Sequence, residues 1–264
     1  MNITTYLTDC IINKIPVSFS KYGDGEYYCA SGSISMTHNC DLDIFTNKLQ
    51  SEIINSIKFM VNERENSFIG LWKNDVNKSY WESLVINSIR WADYQTIIIH
   101  HDDVKNNDDN LRNKLNLYKT IKYSTLKKII ICNPLLIRSE KLLNIDHMVH
   151  IPLRNWFDNH LDDVLNKTSS YITLDEPFIL ITCCGMGAKV IISEMSKKFP
   201  NGIYLDFGSA IDLICTKRNS RGWDYTYEEM KPFFNELLPD DWEDEKYNEI
   251  FELAKVNMGL HLPK

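Results

Sequence analysis

The chain has 264 residues, 44% of them hydrophobic and 25% charged, and a formal net charge of -7. That balance excludes a disordered chain, and the length suffices to bury a core without disulfides or a structural metal. It also argues against nucleic acid as the main partner, because phosphate contacts need clustered Lys and Arg. An acidic protein that handles an anionic nucleotide would need a cation or a local basic group, which directs attention to carboxylates able to hold one.

The first residues lack the basic region and apolar core of a signal peptide. No stretch approaches the ~20 apolar residues of a membrane span. The seven cysteines are an odd number, scattered and mostly inside apolar runs, and so read as reduced thiols in a cytoplasmic protein. The chain is thus expected to have no nucleic-acid partner and no membrane span, and a homo-oligomer is possible.

In chain order, Pro16 to Ser20 reads as a strand running into a Gly23-Asp24-Gly25 turn. From Asp43 to Met60, Ile44, Phe45, Leu49, Ile53, Ile54 and Ile57 recur at helical spacing. Phe68 to Trp72 is a second short strand and Tyr80 to Tyr94 a second helix. Thr96 to Ile99 and Lys128 to Cys132 are continuous β-branched runs, as expected of strands buried on both faces. His147 to Ile151, Phe178 to Thr182 and Gly202 to Phe207 resemble them, separated by helical patterns over Asn155 to Tyr171 and Met186 to Phe199. This alternation predicts an α/β fold with a mostly parallel, Rossmann-like sheet and helices on both faces. Without repeats or a low-complexity linker, residues 1–264 read as one domain with a core of about 15–216. The acidic, aromatic segment of about 223–264 reads as a helical C-terminal extension on the outside of the sheet.

Asp24-Gly25-Glu26 is the first chemical candidate. Carboxylates at i and i+2 can converge on one cation, oxygen ligands suit Mg²⁺ or Mn²⁺, and a position just after a strand is where open α/β sheets bind ligands. The plainer alternative is a polar turn with Glu26 at a helix start. Asp241-Trp242-Glu243 repeats the pattern and reads as a solvated helical face. The second candidate is Thr182 to Lys189, where a strand enters a Gly185-x-Gly187 turn. Free N–H groups at the following helix would hold phosphate, with Lys189 adding a charge. Its alternatives are a tight connection without ligand, or a dinucleotide site with Asp206 on the ribose, although Val190 stands where a third glycine would be. Third, Asp206 ends a strand and Asp212 falls in the first turn after Gly208-Ser209. Either would serve as general base, and Asp212 alternatively as a partner of the helix dipole.

Weaker signals are His100-His101-Asp102-Asp103, of which one His and one Asp would line a pocket edge. Arg154-Asn155-Trp156-Phe157 could grip a base or sugar, or simply start a helix, and the basic run Lys217 to Trp223 could meet a diphosphate or remain surface charge.

Taken together, Phe19-Ser20-Lys21-Tyr22-Gly23-Asp24-Gly25-Glu26 resembles the Arg/Lys-Phe/Tyr-Gly-Asp-Gly-Glu segment of the GT-D fold glycosyltransferases, a family formerly known only as a domain of unknown function. The order continues. Ile151-Pro152 with Asn155 and Phe157 is similar to its Pro-x-x-Asn-Ala-Phe stretch, Phe178 to Lys189 to its Leu-Gly-Pro-x-Ala strand-turn-helix, and Tyr204 to Asp212 to its Asp-Ile-Gly-His-Ile-Asp segment. Met186 stands where the family often has Pro, and Ser209-Ala210 where it has His-Ile. The resemblance implies a Rossmann-like fold and transfer of sugar from a UDP-sugar to a glycan or glycoprotein acceptor. It implies Mn²⁺ or Mg²⁺ on Asp24 and Glu26, and a nucleotide-sugar against Lys21, Tyr22, Gly23, Gly25, Asn155, Gly185, Gly187 and Lys189. Two other functions fit the same residues: an NAD-dependent oxidoreductase using Gly185, Gly187 and Asp206, and a non-catalytic nucleotide- or glycan-binding module.

Overall fold

A computed structural model describes residues 2–40, 42–72, 76–106, 108–219, 225–243, 248–249 and 252, the side chain of His101 excepted. The elements run α1 (Ile3–Ile12), β1 (Val17–Lys21), α2 (Asp24–Ala30), α3 (Asn47–Asn62), β2 (Ser67–Leu71), α4 (Lys78–Ser83) and β3 (Trp91–Asp93). They continue with α5 (His101–Asn106), α6 (Asp109–Tyr123), β4 (Lys127–Cys132), α7 (Ser139–Leu143), β5 (His147–His150) and α8 (Phe157–Ser170). The last are β6 (Phe178–Cys183), α9 (Gly187–Lys198), β7 (Ile203–Asp206), α10 (Asp212–Thr216) and α11 (Tyr227–Met230).

The seven strands form one sheet in the order β3-β2-β1-β7-β6-β4-β5, and every pairing is parallel. Strand residues alternate between two apolar layers, as side chains of period 2 must. Phe19, Ile130, Ile181 and Leu205 face the layer of α1, α6, α7, α10 and α11, whereas Ile129, Ile131, Leu180 and Tyr204 face that of α2, α3, α4, α8 and α9. The expected α/β architecture with helices on both faces is the one found. Because β7 lies between β1 and β6, the direction of strand progression changes there. In open parallel sheets, ligands bind at such a point, beyond the carboxyl ends of the strands.

Several expected elements differ. Thr96 to Ile99 is buried but joins no strand, because side chains rather than a neighbouring strand take its carbonyls. Thr4 Oγ1 donates to Thr96 O at 2.8 Å and Tyr225 Oη to Ile99 O at 2.9 Å. The helix expected over Tyr80 to Tyr94 stops at Ser83, and Trp91 to Asp93 form an edge strand on β2. α3 begins at Asn47, where Thr46 Oγ1 accepts the Leu49 N–H at 3.1 Å as an N-cap. The Gly23-Asp24-Gly25 turn is the start of α2, with Gly23 as its N-cap residue.

Residues 225–242 pack on the α6 side of the sheet. Tyr225, Tyr227, Met230, Phe234, Leu237 and Trp242 are buried there, and Phe234 meets Tyr118 edge-on with ring centroids 5.7 Å apart. Ser220 to Trp223 of the basic run, and much of the expected C-terminal helical segment, lie outside the described residues. No helix among the described residues is long and apolar enough to cross a membrane.

Candidate functional site

Three strand ends meet at the change of direction. β1 delivers Lys21 and then α2; β6 delivers Cys184-Gly185 and then α9; β7 delivers Asp206. Their charged side chains form one buried cluster. Lys189, in the first turn of α9, sets its Nζ 2.6 Å from Glu26 Oε1 and 3.2 Å from Asp206 Oδ2. Asp206 Oδ2 also accepts the Lys21 N–H at 3.0 Å, and Lys21 Nζ donates to Phe207 O at 2.7 Å. Burial works against the charge of Lys189, but Asp206 and Glu26 outweigh it and hold its pKa above the ordinary lysine value. At Lys21 burial prevails over the pull of Asp206 and lowers the pKa. Two cations and two carboxylates thus compensate one another in a water-poor site, where an unpaired charge would be costly.

The two carboxylates expected to share a cation occupy different environments. Residues i and i+2 of a helix point about 200° apart, and both fall in the first turn of α2. Glu26 turns inward, with Oε1 on Lys189 and Oε2 accepting the Gly23 N–H at 2.9 Å. Asp24 is exposed, with Oδ1 on the Gly25 N–H at 2.9 Å. The described residues contain no group of three or more His, Cys, Asp or Glu side chains placed to hold a metal. A hard divalent ion nevertheless often takes only one or two carboxylates and completes its shell with substrate phosphates and water. Asp24 fits that donor set, and Glu26 would have to exchange Lys189 for the ion.

The other expected residues separate into those that frame the crevice and those that hold the scaffold. Tyr22 is fully buried, its hydroxyl 2.8 Å from Ser56 Oγ and its ring edge-on to Trp81. Burial therefore raises its pKa well beyond the usual tyrosine range. Gly185 has φ +61°, a left-handed turn suited to glycine, and a Cβ there would meet Asp43 Oδ2 at 3.1 Å. At Gly187 a Cβ would lie 2.4 Å from the Trp156 ring, so the missing side chain makes room for an indole. Asn155, with φ +51°, donates its N–H to Asp43 Oδ1 at 2.8 Å and accepts the Ile44 N–H on Oδ1 at 2.9 Å. Asp212 is half-buried in the first turn of α10. Asp103 is buried, holding Lys114 Nζ at 2.7 Å and the His100 N–H at 2.7 Å.

Asp206 is 0% exposed. Its Oδ2 is turned onto Lys189 and the Lys21 N–H, which does not favour the ribose contact of the dinucleotide alternative.

Sequence reading passed over Asn39, Asp43, Trp72 and Tyr94. Between the 39–46 segment and the β5–α8 connection lies a cavity of about 220 Å³, lined among others by Asp43, Thr46, Asn155, Asp158, Asn159 and Met186. Trp72 and Tyr94 stack at 4.3 Å, 18° from parallel, just past the ends of β2 and β3. A correct register for β3 would have exposed the second pair, since a residue just past a parallel strand faces the ligand edge of the sheet.

The all-parallel sheet with its central crossover and a charged crevice at the strand ends defines an open, doubly wound α/β protein. Among solved structures, the chain matches one described as showing that "the highly conserved domain of unknown function 1792 has a distinct glycosyltransferase fold". The TM-score is 0.53 at 15% identity, over 82% of this chain and 83% of that one. A selenomethionine-substituted structure of the same domain matches with TM-score 0.52, also at 15% identity over 82% and 83%. The fold is therefore the glycosyltransferase fold that the resemblance implied. No family model matches the sequence, and no curated protein matches it either.

Proposed function

We propose that the protein is a glycosyltransferase that takes its sugar from a nucleoside diphosphate sugar, a UDP-sugar by the resemblance, and passes it to a hydroxyl of a glycan or glycoprotein. The observation that carries this reading is the meeting of the first turns of α2 and α9 over the switch point of a glycosyltransferase-type sheet. There Gly25 lies against Met186 and Glu26 against Lys189, while Asp24 stays exposed.

In this reading Asp24 would hold Mn²⁺ or Mg²⁺ when the donor is bound. The ion, when bound, supplies Lewis-acid stabilisation of the departing diphosphate. Lys21 and Lys189 form the charge-compensated floor of the crevice with Glu26 and Asp206. Glu26 and Asp206 keep Lys189 charged and fixed, which is a positioning role. Gly23 and Gly25, backed by the buried Lys21 and Tyr22, shape the wall against which the donor lies, and Gly185, Gly187 and Asn155 shape the opposite wall. Of the two carboxylates considered for the acceptor proton, Asp212 is the more accessible and is assigned the general base.

Thermal unfolding tests the proposal. UDP or GDP is expected to raise Tm only with Mn²⁺ or Mg²⁺, and Asp24→Ala to abolish that rise. Absence of a metal-dependent shift with any nucleoside diphosphate would sink the reading. Binding without hydrolysis or transfer of any nucleotide-sugar would instead mark a non-catalytic module.

A further inference from the structure

Trp72 combines two properties that a purely structural residue seldom has. It is a large aromatic side chain left 42% exposed, and one face is already fixed by stacking on Tyr94. Tyr94 is itself held in place. Its N–H donates to Leu71 O at 2.9 Å, and Lys21 Nζ sits 5.1 Å from its ring centre. The pair is therefore a preformed flat surface at the carboxyl edge of β2 and β3, next to the strand that delivers Lys21 and Asp24.

Its position relative to the rest of the crevice gives it a role. The first turn of α2 lies between two different walls. A Cβ on Gly23 would meet the Tyr94 ring at 3.1 Å, whereas a Cβ on Gly25 would meet Asn39 at 3.2 Å and Met186 at 3.9 Å. One side of Asp24 is thus aromatic. The other leads to the cavity lined by Asp43, Thr46, Asn155, Asp158 and Asn159, hydrogen-bonding groups suited to sugar hydroxyls. Aromatic surface, exposed carboxylate and polar cavity follow one another in the order base, diphosphate and sugar of a nucleotide-sugar.

We infer that Trp72, backed by Tyr94, is the stacking platform for the donor's nucleobase, and that the cavity beside Asn155 takes the sugar end. This rests on the nucleotide-sugar reading above and deepens it by orienting the donor. Stacking accepts any base with an open π-face, so the platform provides affinity and the choice of base lies elsewhere.

The test uses the full chain with Mn²⁺ and calorimetric titration of UDP, GDP and inorganic pyrophosphate into wild type, Trp72→Ala and Trp72→Phe. Trp72→Ala is expected to weaken the nucleoside diphosphate that wild type binds by roughly five- to a hundredfold, the range covered by loss of one base–aromatic stack. Trp72→Phe should recover most of the loss, and pyrophosphate affinity should be the same in all three proteins. Quenching of tryptophan fluorescence on nucleotide binding should fall in Trp72→Phe. Equal nucleotide affinity in wild type and Trp72→Ala would overturn the platform and leave the glycosyltransferase reading standing. Equal losses for nucleotide and pyrophosphate would overturn it as well, by showing that Trp72 merely supports the crevice. If wild type binds neither UDP nor GDP, both this inference and the reading beneath it fall.

Discussion

At the scale of single residues, the site is governed by charges taken out of water in matched pairs. Lys189 compensates Glu26 and Asp206 at once, so its removal strands two buried carboxylates. Breaking a buried pair from one side costs about 3–5 kcal/mol. Lys189→Met is accordingly expected to lower the unfolding free energy by that amount, read as a lower denaturant midpoint with little change in the slope of the transition. Gly187 makes the opposite point about space. Glycine to alanine in a helix ordinarily stabilises, but here the new methyl would enter the Trp156 ring. Overpacking of this kind costs about 1–3 kcal/mol, so Gly187→Ala should destabilise when measured by chemical denaturation. A pure ligand-approach role for Gly187 predicts no such loss.

Residue patterns carried this level unevenly. Asp24, Glu26, Lys189 and Asp206 all stand out in the sequence because a carboxylate or lysine next to a strand end is a local signal. That Glu26 and Asp206 share one lysine was not legible, because the contact joins residues about 160 and 20 positions apart in the chain. Asp43 and Trp72 carried no local signal of any kind: one sat inside an apparent helical period and the other at the end of an apparent strand.

At the scale of elements, continuous apolar runs identified β4, β6 and β7 to within a residue or two, since burial on both faces requires apolar side chains at every position of a strand. Periodicity failed where burial and pairing part company. Thr96 to Ile99 is as apolar as β4, yet Thr4 and Tyr225 satisfy its carbonyls from the side, so it needs no partner strand. The described part of the C-terminal segment docks by a different logic. Tyr227 and Met230 bury against the α6 layer, and Glu243 gathers Lys217, Lys231 at 2.6 Å and the Tyr227 hydroxyl at 2.7 Å. This is the second Asp-x-Glu of the chain, and it serves as a latch.

Partial burial opposes the charge of Glu243, but Lys217, Lys231 and Tyr227 prevail and bring its pKa down from 4.5 to about 2. A carboxylate depressed in the folded state stabilises above its unfolded pKa and loses that contribution as pH falls through the folded one. Docking of the segment should therefore hold above pH 4.5 and loosen as pH falls toward about 2. Hydrogen-exchange protection over residues 227–243, taken relative to the intrinsic rate at each pH, is expected to fall in wild type between those values and to be reduced already at neutral pH in Glu243→Gln.

At the scale of the whole molecule, the alternation of strand and helix was enough to anticipate a parallel sheet with two helical layers, whereas the strand order was not readable. Pairing between β1 and β7 joins residues about 185 apart, and no local pattern encodes it. The ligand response expected of the wild type is also a global quantity. A nucleotide at one hundred times its Kd adds about 2.7 kcal/mol, which for a chain of this size moves Tm on the order of 5 to 10 °C. That rise is the one Asp24→Ala should erase.

The insertion of β7 between β1 and β6 has a consequence for how the protein is made. Until residue 206 has left the ribosome, the chain can form two half-sheets, β1-β2-β3 and β4-β5-β6, each with a raw hydrogen-bonding edge that invites pairing with other chains. The strand that zips these edges together also carries Asp206, the counter-charge for Lys189. Edge protection and charge neutrality are thus reached in one event late in synthesis, and a nascent chain stalled before that point is both sticky and electrostatically unfinished.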